Sequence, residues 1–214
     1  KVEKCNHAYC VCRSRCLRHN LICRILSLDM ADLKLYDVFD MSPLRDYIRE
    51  HGECCVYRKG ECFCRIGENT PDIGVVNSGG FAFVRPDDKG DDQTCSLAFA
   101  DELVGSYISM MPGRKSGFDV KALCKSEVSA LALDTVVEYM DTISPDYRLR
   151  FTYAIAYAFM MRGISYRCQS VESRYVELLE RMPDVKSFMS TSAIASYLGV
   201  TRETLSRMRA RMCK

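Results

Sequence analysis

The chain has 214 residues, enough for one large domain or for a medium domain joined to a small one. Its 30 basic and 28 acidic side chains leave a net charge of only +2, which excludes a polycation that coats nucleic acid indiscriminately; DNA binding would need a local basic patch. Thirteen cysteines are too few for a small disulfide-stapled secreted domain. The longest apolar run, Tyr153 to Met161, is about half of the ~20 residues that span a membrane. We therefore expect a soluble, cytoplasmic protein with reduced thiols.

The N-terminal segment, residues 1 to 29, is rich in cysteine and arginine and shows no clear helical or strand period. Met30 then begins an amphipathic stretch that runs to about Phe39. One possibility is that residues 1 to 29 are an upstream extension and that Met30 is the natural start.

Short strands separated by turn signals are predicted from about Cys54 to Ala132. Two of them, Phe81 to Val84 and Cys95 to Phe99, flank a polar, glycine-containing loop that is typical of a hairpin tip. Strands at this spacing favour a sandwich or barrel. The sequence therefore predicts an α+β protein with an N-terminal antiparallel β-roll of the jelly-roll type.

Helical periodicity replaces the strand signals after Leu133, with a break near Pro145, a residue that suits the first turn of a new helix. The predicted helix from Pro145 to about Ser170 is long and carries an apolar stripe consisting of Leu149, Tyr153, Ala156, Met160 and Ile164. Such a stripe needs burial on more than one side. It fits either an interface with a second copy of the chain or an intradomain core helix, and we favour the dimer interface. A further helix is predicted from Val171 to Met182.

The segment from Ser192 to Met208 predicts two short helices that meet at a tight corner. Close crossing requires a small residue and a corner residue that tolerates positive φ, and Ala195 and Gly199 stand in those places. Thr201 is the predicted N-cap of the second helix. The apolar residues Ile194, Leu198, Leu205 and Met208 fall on the faces that would pack together.

The outer face of the second helix has the chemistry of base recognition. Arginine donates two hydrogen bonds to guanine, and glutamate accepts one from cytosine, so Arg202 and Glu203 near the helix start are the predicted base contacts. From Asp184 onward six basic residues outnumber two acidic ones, a local charge of +4 that would attract phosphates. The alternative is a solvated charged helix, which explains the arginines but leaves Ala195 and Gly199 unexplained.

The segment Thr201-Arg-Glu-Thr-Leu-Ser-Arg207 resembles the recognition helix of the Crp/Fnr family of bacterial regulators, whose Arg-Glu pair and later Arg match Arg202, Glu203 and Arg207. The resemblance extends from about residue 36 to the end, in family order, and is greatest to Bacteroidetes-type members. It implies a β-roll sensor domain (residues 30–143), a dimerisation helix (144–170) and a winged-helix-type helix-turn-helix (171–214) that lacks the wing hairpin. The implied partners are double-stranded DNA, RNA polymerase and a second copy of the chain, with no membrane.

The residues assigned to DNA on these grounds are Ser192, Thr201, Arg202, Glu203, Thr204, Ser206, Arg207, Arg209 and Arg211, with Lys214 added as a phosphate contact.

The family's cyclic-nucleotide-binding members hold a phosphate between a Gly-Glu-Leu turn and an Arg-Ser pair. The matching positions here are Glu102, Leu103, Lys115 and Ser116. Lys115 replaces the arginine, and a lysine cannot make the forked contact to phosphate, which argues against cyclic AMP. The effector is therefore left open.

Fnr-type members hold an iron–sulfur cluster through three N-terminal cysteines and one in the β-roll. The candidates here are Cys5, Cys10, Cys12, Cys16 and Cys124, although their spacing departs from the family's motif. Four thiolates could ligate a cluster or zinc, and unligated thiols are the alternative.

Enzyme chemistry is not predicted. A metal-dependent enzyme on a β-roll needs two or three histidines with a carboxylate inside the roll, whereas His7, His19 and His51 all precede the strand region. A third possibility is a ligand-binding module whose helix-turn-helix has become a protein-contact surface.

Overall fold

A computed structural model describes residues 39–110 and 114–212. Eight strands form two four-stranded antiparallel sheets. The strands are β1 (Glu53–Tyr57), β2 (Cys62–Cys64), β3 (Asp72–Ser78), β4 (Gly80–Pro86), β5 (Asp92–Phe99), β6 (Leu103–Val104), β7 (Asp119–Ala122) and β8 (Ser126–Ala132).

The strand order is β1-β8-β3-β6 in one sheet and β2-β7-β4-β5 in the other, which is a double-sheet jelly roll. The predicted hairpin is formed by β4 and β5, whose register pairs Gly80 with Phe99 and Pro86 with Asp92. The loop between them is closed by the carboxylate of Asp87, which accepts hydrogen bonds from the amides of Lys89 (2.8 Å) and Asp91 (3.0 Å). The α+β class and the β-roll are thus confirmed.

The α-helices lie before and after the strands, and a 3-10 turn lies between β6 and β7. They are α1 (Ser42–His51), a 3-10 turn (Tyr107–Met110), α2 (Leu133–Ile143), α3 (Tyr147–Cys168), α4 (Val171–Arg181), α5 (Val185–Phe188), α6 (Thr191–Leu198) and α7 (Arg202–Met212). None of the described helices is long and apolar enough to cross a membrane. The predictions about residues 1 to 29 and about Met30 lie outside the described residues.

Helices cover parts of the outer faces of the two sheets, and the described residues form three packed cores. Val76, Phe81 and Val128 belong to the core between the sheets. The outer face of the β3 sheet is covered by α1, α2 and α3. The outer face of the β4–β5 hairpin, including Leu97 and Phe99, packs against the C-terminal helices. The helix-turn-helix is therefore docked on the β-roll.

The long helix α3 begins at Tyr147, because Pro145 and Asp146 form a turn in which the Tyr147 amide donates to the Ser144 carbonyl at 3.1 Å. It ends at Cys168, and Ser170 caps the next helix by accepting from the Ser173 amide at 3.0 Å. The helix is thus slightly shorter at each end than the sequence predicted.

The apolar side chains of α3 divide into two groups. Phe151 and Ala154 are buried against the β-roll. Leu149, Tyr153 and Met160, by contrast, are 53%, 64% and 54% exposed. The predicted stripe is therefore on the surface of a single chain and free to contact a second one.

Candidate nucleic-acid interface

The helix-turn-helix consists of α6 and α7, and its corner is built as the sequence predicted. Gly199 ends α6 in the left-handed conformation with φ of +70°. The Gly199 amide donates to the Ser196 carbonyl and the Val200 amide to the Ala195 carbonyl, both at 3.0 Å, and this pair of bonds caps the end of α6. Ser190 caps the start of α6 by accepting from the Ala193 amide at 3.1 Å.

A small core fixes the angle between α6 and α7. Ile194, Leu198, Leu205 and Met208 are each at most 1% exposed. Tyr175 and Leu178 of α4 and Val185 of α5 belong to the same core. Because α7 is held by buried side chains on one face, its other face is presented rigidly.

That other face carries the predicted base contacts. Arg202, Glu203, Ser206 and Arg207 are exposed, and none of them forms an ion pair with another described residue. The first turn is capped by Thr201, whose hydroxyl accepts from the Thr204 amide at 3.2 Å. The arrangement leaves two guanidinium groups and one carboxylate available to a ligand.

Glu203 is held in its ionised form. Hydrogen bonding to its own backbone amide, then to the Thr201 hydroxyl, lowers the pKa of this carboxyl below its ordinary value. The ionised carboxylate is a hydrogen-bond acceptor only, which is what a contact to a cytosine amino group requires.

The remaining predicted DNA contacts differ in their surroundings. Ser192 is exposed, and Thr204 is half-buried with its hydroxyl 3.1 Å from that of Thr201. The guanidinium of Arg209 lies 5.0 Å from the centre of the Tyr175 ring, and its Nε and Nη2 atoms are buried. Arg211 is exposed and pairs with Glu172 at 2.9 Å. Lys214 lies outside the described residues, and all these assignments stay predictions.

Two side chains that the sequence did not single out join the helix-turn-helix to α3. Arg174 donates from Nη1 to the Gln169 carbonyl at 2.9 Å and from Nη2 to the Leu198 carbonyl at 2.8 Å. The Tyr166 hydroxyl donates to the Tyr197 carbonyl. Helix ends leave carbonyls without intrahelical partners, so a cation beside two such ends stabilises both.

The helix-turn-helix is also joined to the β-roll. The Ser196 hydroxyl accepts from the Thr94 amide at 2.8 Å and donates to the side-chain oxygen of Gln93 at 3.0 Å. Arg181 of α4 forms an ion pair with Glu102 and donates to the Leu97 carbonyl at 2.9 Å. These contacts fix α6 against β5.

The four effector candidates occupy different surroundings. The Glu102 carboxylate accepts from the Phe99 amide at 3.0 Å in addition to its bond with Arg181. Leu103 is a core residue, and Lys115 is exposed. Ser116 is buried, and its hydroxyl donates to the Phe118 carbonyl at 2.7 Å. Within the described residues no hydrogen bond joins any two of the four, and their role stays a prediction.

The metal candidates fall mostly outside the described residues, where Cys5, Cys10, Cys12 and Cys16 lie. Cys124 is half-buried, with its Sγ atom 3.8 Å from the Ser126 hydroxyl. Among residues 39–110 and 114–212 no group of three or more histidine, cysteine or acidic side chains is placed to hold a metal ion.

No model of a known protein family matches this sequence, and no curated protein matches it. Several solved structures do match the fold of this chain. FixK2 from Bradyrhizobium japonicum has a TM-score of 0.62 at 17% identity, covering 75% of this chain and 84% of that one. A protein from Eubacterium rectale described as a transcriptional regulator of the Crp/Fnr family has a TM-score of 0.57 at 15% identity, covering 84% and 86%. The chain has the Crp/Fnr fold.

A third structure, the c-di-GMP-responsive global regulator CLP of Xanthomonas campestris, has a TM-score of 0.56 at 16% identity and covers 80% of this chain and 91% of that one. The matches confirm the predicted resemblance to the Crp/Fnr family at the level of the fold. CLP is described as a regulator.

Proposed function

We propose that this chain is a transcription regulator of the Crp/Fnr type that binds double-stranded DNA sequence-specifically as a homodimer. The observation that carries the proposal is the outer face of α7, where Arg202, Glu203 and Arg207 are exposed while Leu205 and Met208 are buried beneath them. A helix fixed on one face and lined with base-binding side chains on the other is the form that a recognition helix takes.

The three side chains have separate roles. Arg202 and Glu203 lie in the first turn of α7, the part of a recognition helix that enters the major groove. Arg207 follows Glu203 one turn later on the same side of the helix. Each bidentate contact to the correct base contributes about 1–3 kcal/mol of discrimination against the wrong one. Arg211, near the far end of α7, would contact the phosphate backbone.

The dimer is proposed to form through α3. Leu149, Tyr153 and Met160 are more than half exposed and recur along one side of the helix, so pairing with a second α3 would remove them from water. A two-fold axis along this contact would present two α7 helices to successive major-groove faces. Half-sites would then lie about one helical turn, ~34–36 Å, apart.

The controlling signal is proposed to act through the β-roll, because α6 is hydrogen-bonded to β5 through Ser196. A change in the hairpin would therefore move the helix that supports α7. RNA polymerase is the proposed partner through which DNA binding alters transcription.

The decisive experiment selects binding sites from random DNA with the purified full chain and then measures affinity for the selected site by gel shift. We expect enrichment of a palindrome with half-sites one turn apart and affinity at least 1,000-fold above that for random DNA, at the low end of the ~10³–10⁷ range for specific binding. Equal affinity for both DNAs at every salt concentration would refute the proposal.

A further inference from the structure

A cavity of about 240 Å³ lies where the long helix meets the C-terminal helices. We call it the hinge cavity. Its walls come from the last three turns of α3, from α4, and from the end of α6. The residues that matter for its chemistry are Arg162, Arg174, Glu177, Tyr166, Tyr197 and Gln169.

Arg162 is a cation that no other described residue neutralises. Its guanidinium stacks 4.4 Å from the centre of the Tyr197 ring, and its Nε atom is buried without a hydrogen-bond partner among the described residues. No carboxylate among the described residues lies within ion-pair distance of it. A buried donor without a partner costs free energy that a bound acceptor would recover.

The other charged groups of the cavity do not compensate for Arg162. Arg174 donates to backbone carbonyls and has no carboxylate partner among the described residues. Arg181 is already paired with Glu102. The Glu177 carboxylate accepts from the side-chain amide of Gln169 at 2.8 Å. The walls therefore carry more positive than negative charge.

We propose that the hinge cavity binds a small organic anion, one that presents a carboxylate or a phosphate monoester to the guanidinium of Arg162. Arginine is the residue that recognises both groups in a forked geometry. The aromatic side chains Tyr157, Tyr166 and Tyr197 supply flat walls for a ring or a hydrocarbon chain. The volume lies below the ~300–1,000 Å³ of drug-sized sites, so the ligand is the size of a small metabolite.

The cavity stays open in the proposed dimer. At about 100° per residue, Arg162 lies roughly 160° around α3 from Met160, the centre of the exposed stripe. A second copy that covers the stripe would therefore leave the hinge cavity uncovered. The ligand would contact α3 and the helix-turn-helix together, because Arg162 belongs to α3 and Tyr197 to α6.

Isothermal titration calorimetry on the full chain without DNA tests the proposal, with phenyl phosphate, inorganic phosphate and benzoate as probes. We expect saturable binding of phenyl phosphate or benzoate, with phenyl phosphate tighter than inorganic phosphate. Arg162→Gln should weaken it at least 10-fold, since the charged contact is lost. Ala158→Leu should do the same by filling the cavity while keeping every charge, which protects the test if Arg162→Gln fails to fold.

Two control variants separate this site from other arginines. Arg148→Gln changes an exposed arginine of α3 that pairs with Asp141 and lies outside the cavity, and its affinity should stay within twofold of wild type. The double variant Arg202→Ala, Arg207→Ala should also bind normally, so failure of DNA binding and failure of this proposal are distinguishable. The proposal is overturned if none of the probes binds, or if Arg162→Gln and Ala158→Leu both bind as well as wild type.

Discussion

Arg174 donates a hydrogen bond of 2.8 Å to the backbone carbonyl of Leu198, so a side chain of α4 holds the last residue of α6. The same guanidinium reaches Gln169 just after α3. We expect Arg174→Met to lower the free energy of unfolding by about 2 kcal/mol, because bonds from a charged donor contribute roughly 1.5–3 kcal/mol. Urea titration measures the loss. Arg207→Met, on the exposed face of α7, is the control and should stay within about 0.5 kcal/mol of wild type.

Gly199 should not tolerate a side chain. Its φ of +70° favours glycine, and a Cβ there would stand 3.3 Å from the Tyr166 ring. Gly199→Ala should therefore destabilise the fold by about 1–2 kcal/mol. Gly163→Ala is the matched control: nothing lies within 4 Å of a Cβ at this position of α3, so the same change should stabilise by about 0.5–1 kcal/mol. Thermal unfolding midpoints that move in the same direction would contradict the assignment.

Charge on the exposed stripe of α3 should separate the dimer. Tyr153→Glu and Met160→Glu each place a carboxylate where the proposed interface excludes water, at a cost that the remaining contacts do not offset. Sedimentation velocity at micromolar concentration should show a dimer for the wild type and a monomer with unchanged helicity for both variants. Val176→Glu, at an exposed position of α4, should remain dimeric. A wild-type chain that sediments as a monomer would rule out the α3 interface.

Substitutions of Arg207 and Arg211 in α7 should affect DNA binding in different ways. Arg207→Ala should weaken binding to the selected palindrome at least 10-fold and relax preference at one base pair, because a base contact is lost. Arg211→Ala should weaken binding to selected and random DNA by the same factor. It should also reduce by about 1 the slope of the logarithm of the binding constant against the logarithm of salt concentration. Fluorescence anisotropy from 50 to 200 mM salt distinguishes the two patterns. Regulation unaffected by both changes would favour a protein-contact surface instead.

Buried tyrosines should make the fold labile to alkali. Burial raises the pKa of Tyr147, which is 4% exposed, to about 12, above the ordinary value of about 10. Between these values the unfolded chain loses the proton and the folded chain keeps it, so the stabilisation is complete below pH 10 and is lost as pH rises towards 12. Tyr147→Phe should reduce the slope of stability against pH by about 1.4 kcal/mol per pH unit over that window. Equal slopes would contradict the burial argument.

The sequence predicted those parts of the fold that depend on neighbouring residues. The β4–β5 hairpin follows from alternating apolar residues on either side of a polar loop, and the corner at Gly199 follows from the steric freedom of glycine. The end of α3 was predicted less well. Ser170, a residue with no apolar signal, caps the following helix and so fixes where α3 must end.

The contacts that position the candidate site could not be predicted in the same way. Ser196 meets Thr94 across about a hundred residues of sequence, and Arg174 meets Leu198 only because three helices converge. Glu102 matches a family motif in the sequence, and in the folded chain its carboxylate binds Arg181 of α4. The spacing of residues along the chain indicates helical or strand periodicity and the positions of turns. These contacts depend instead on how separate layers of the fold pack.

The hydrogen bond from the Thr94 amide to the Ser196 hydroxyl, which joins β5 to α6, can be followed by amide hydrogen exchange. In a strand, an amide proton is ordinarily shielded from solvent by the neighbouring strand, but this one is shielded by the hydroxyl of Ser196. The rate at which this proton exchanges with deuterated water therefore reports how often the helix-turn-helix separates from the β-roll. On the proposed function, DNA that draws α6 away should speed that exchange, and an effector that holds α6 in place should slow it.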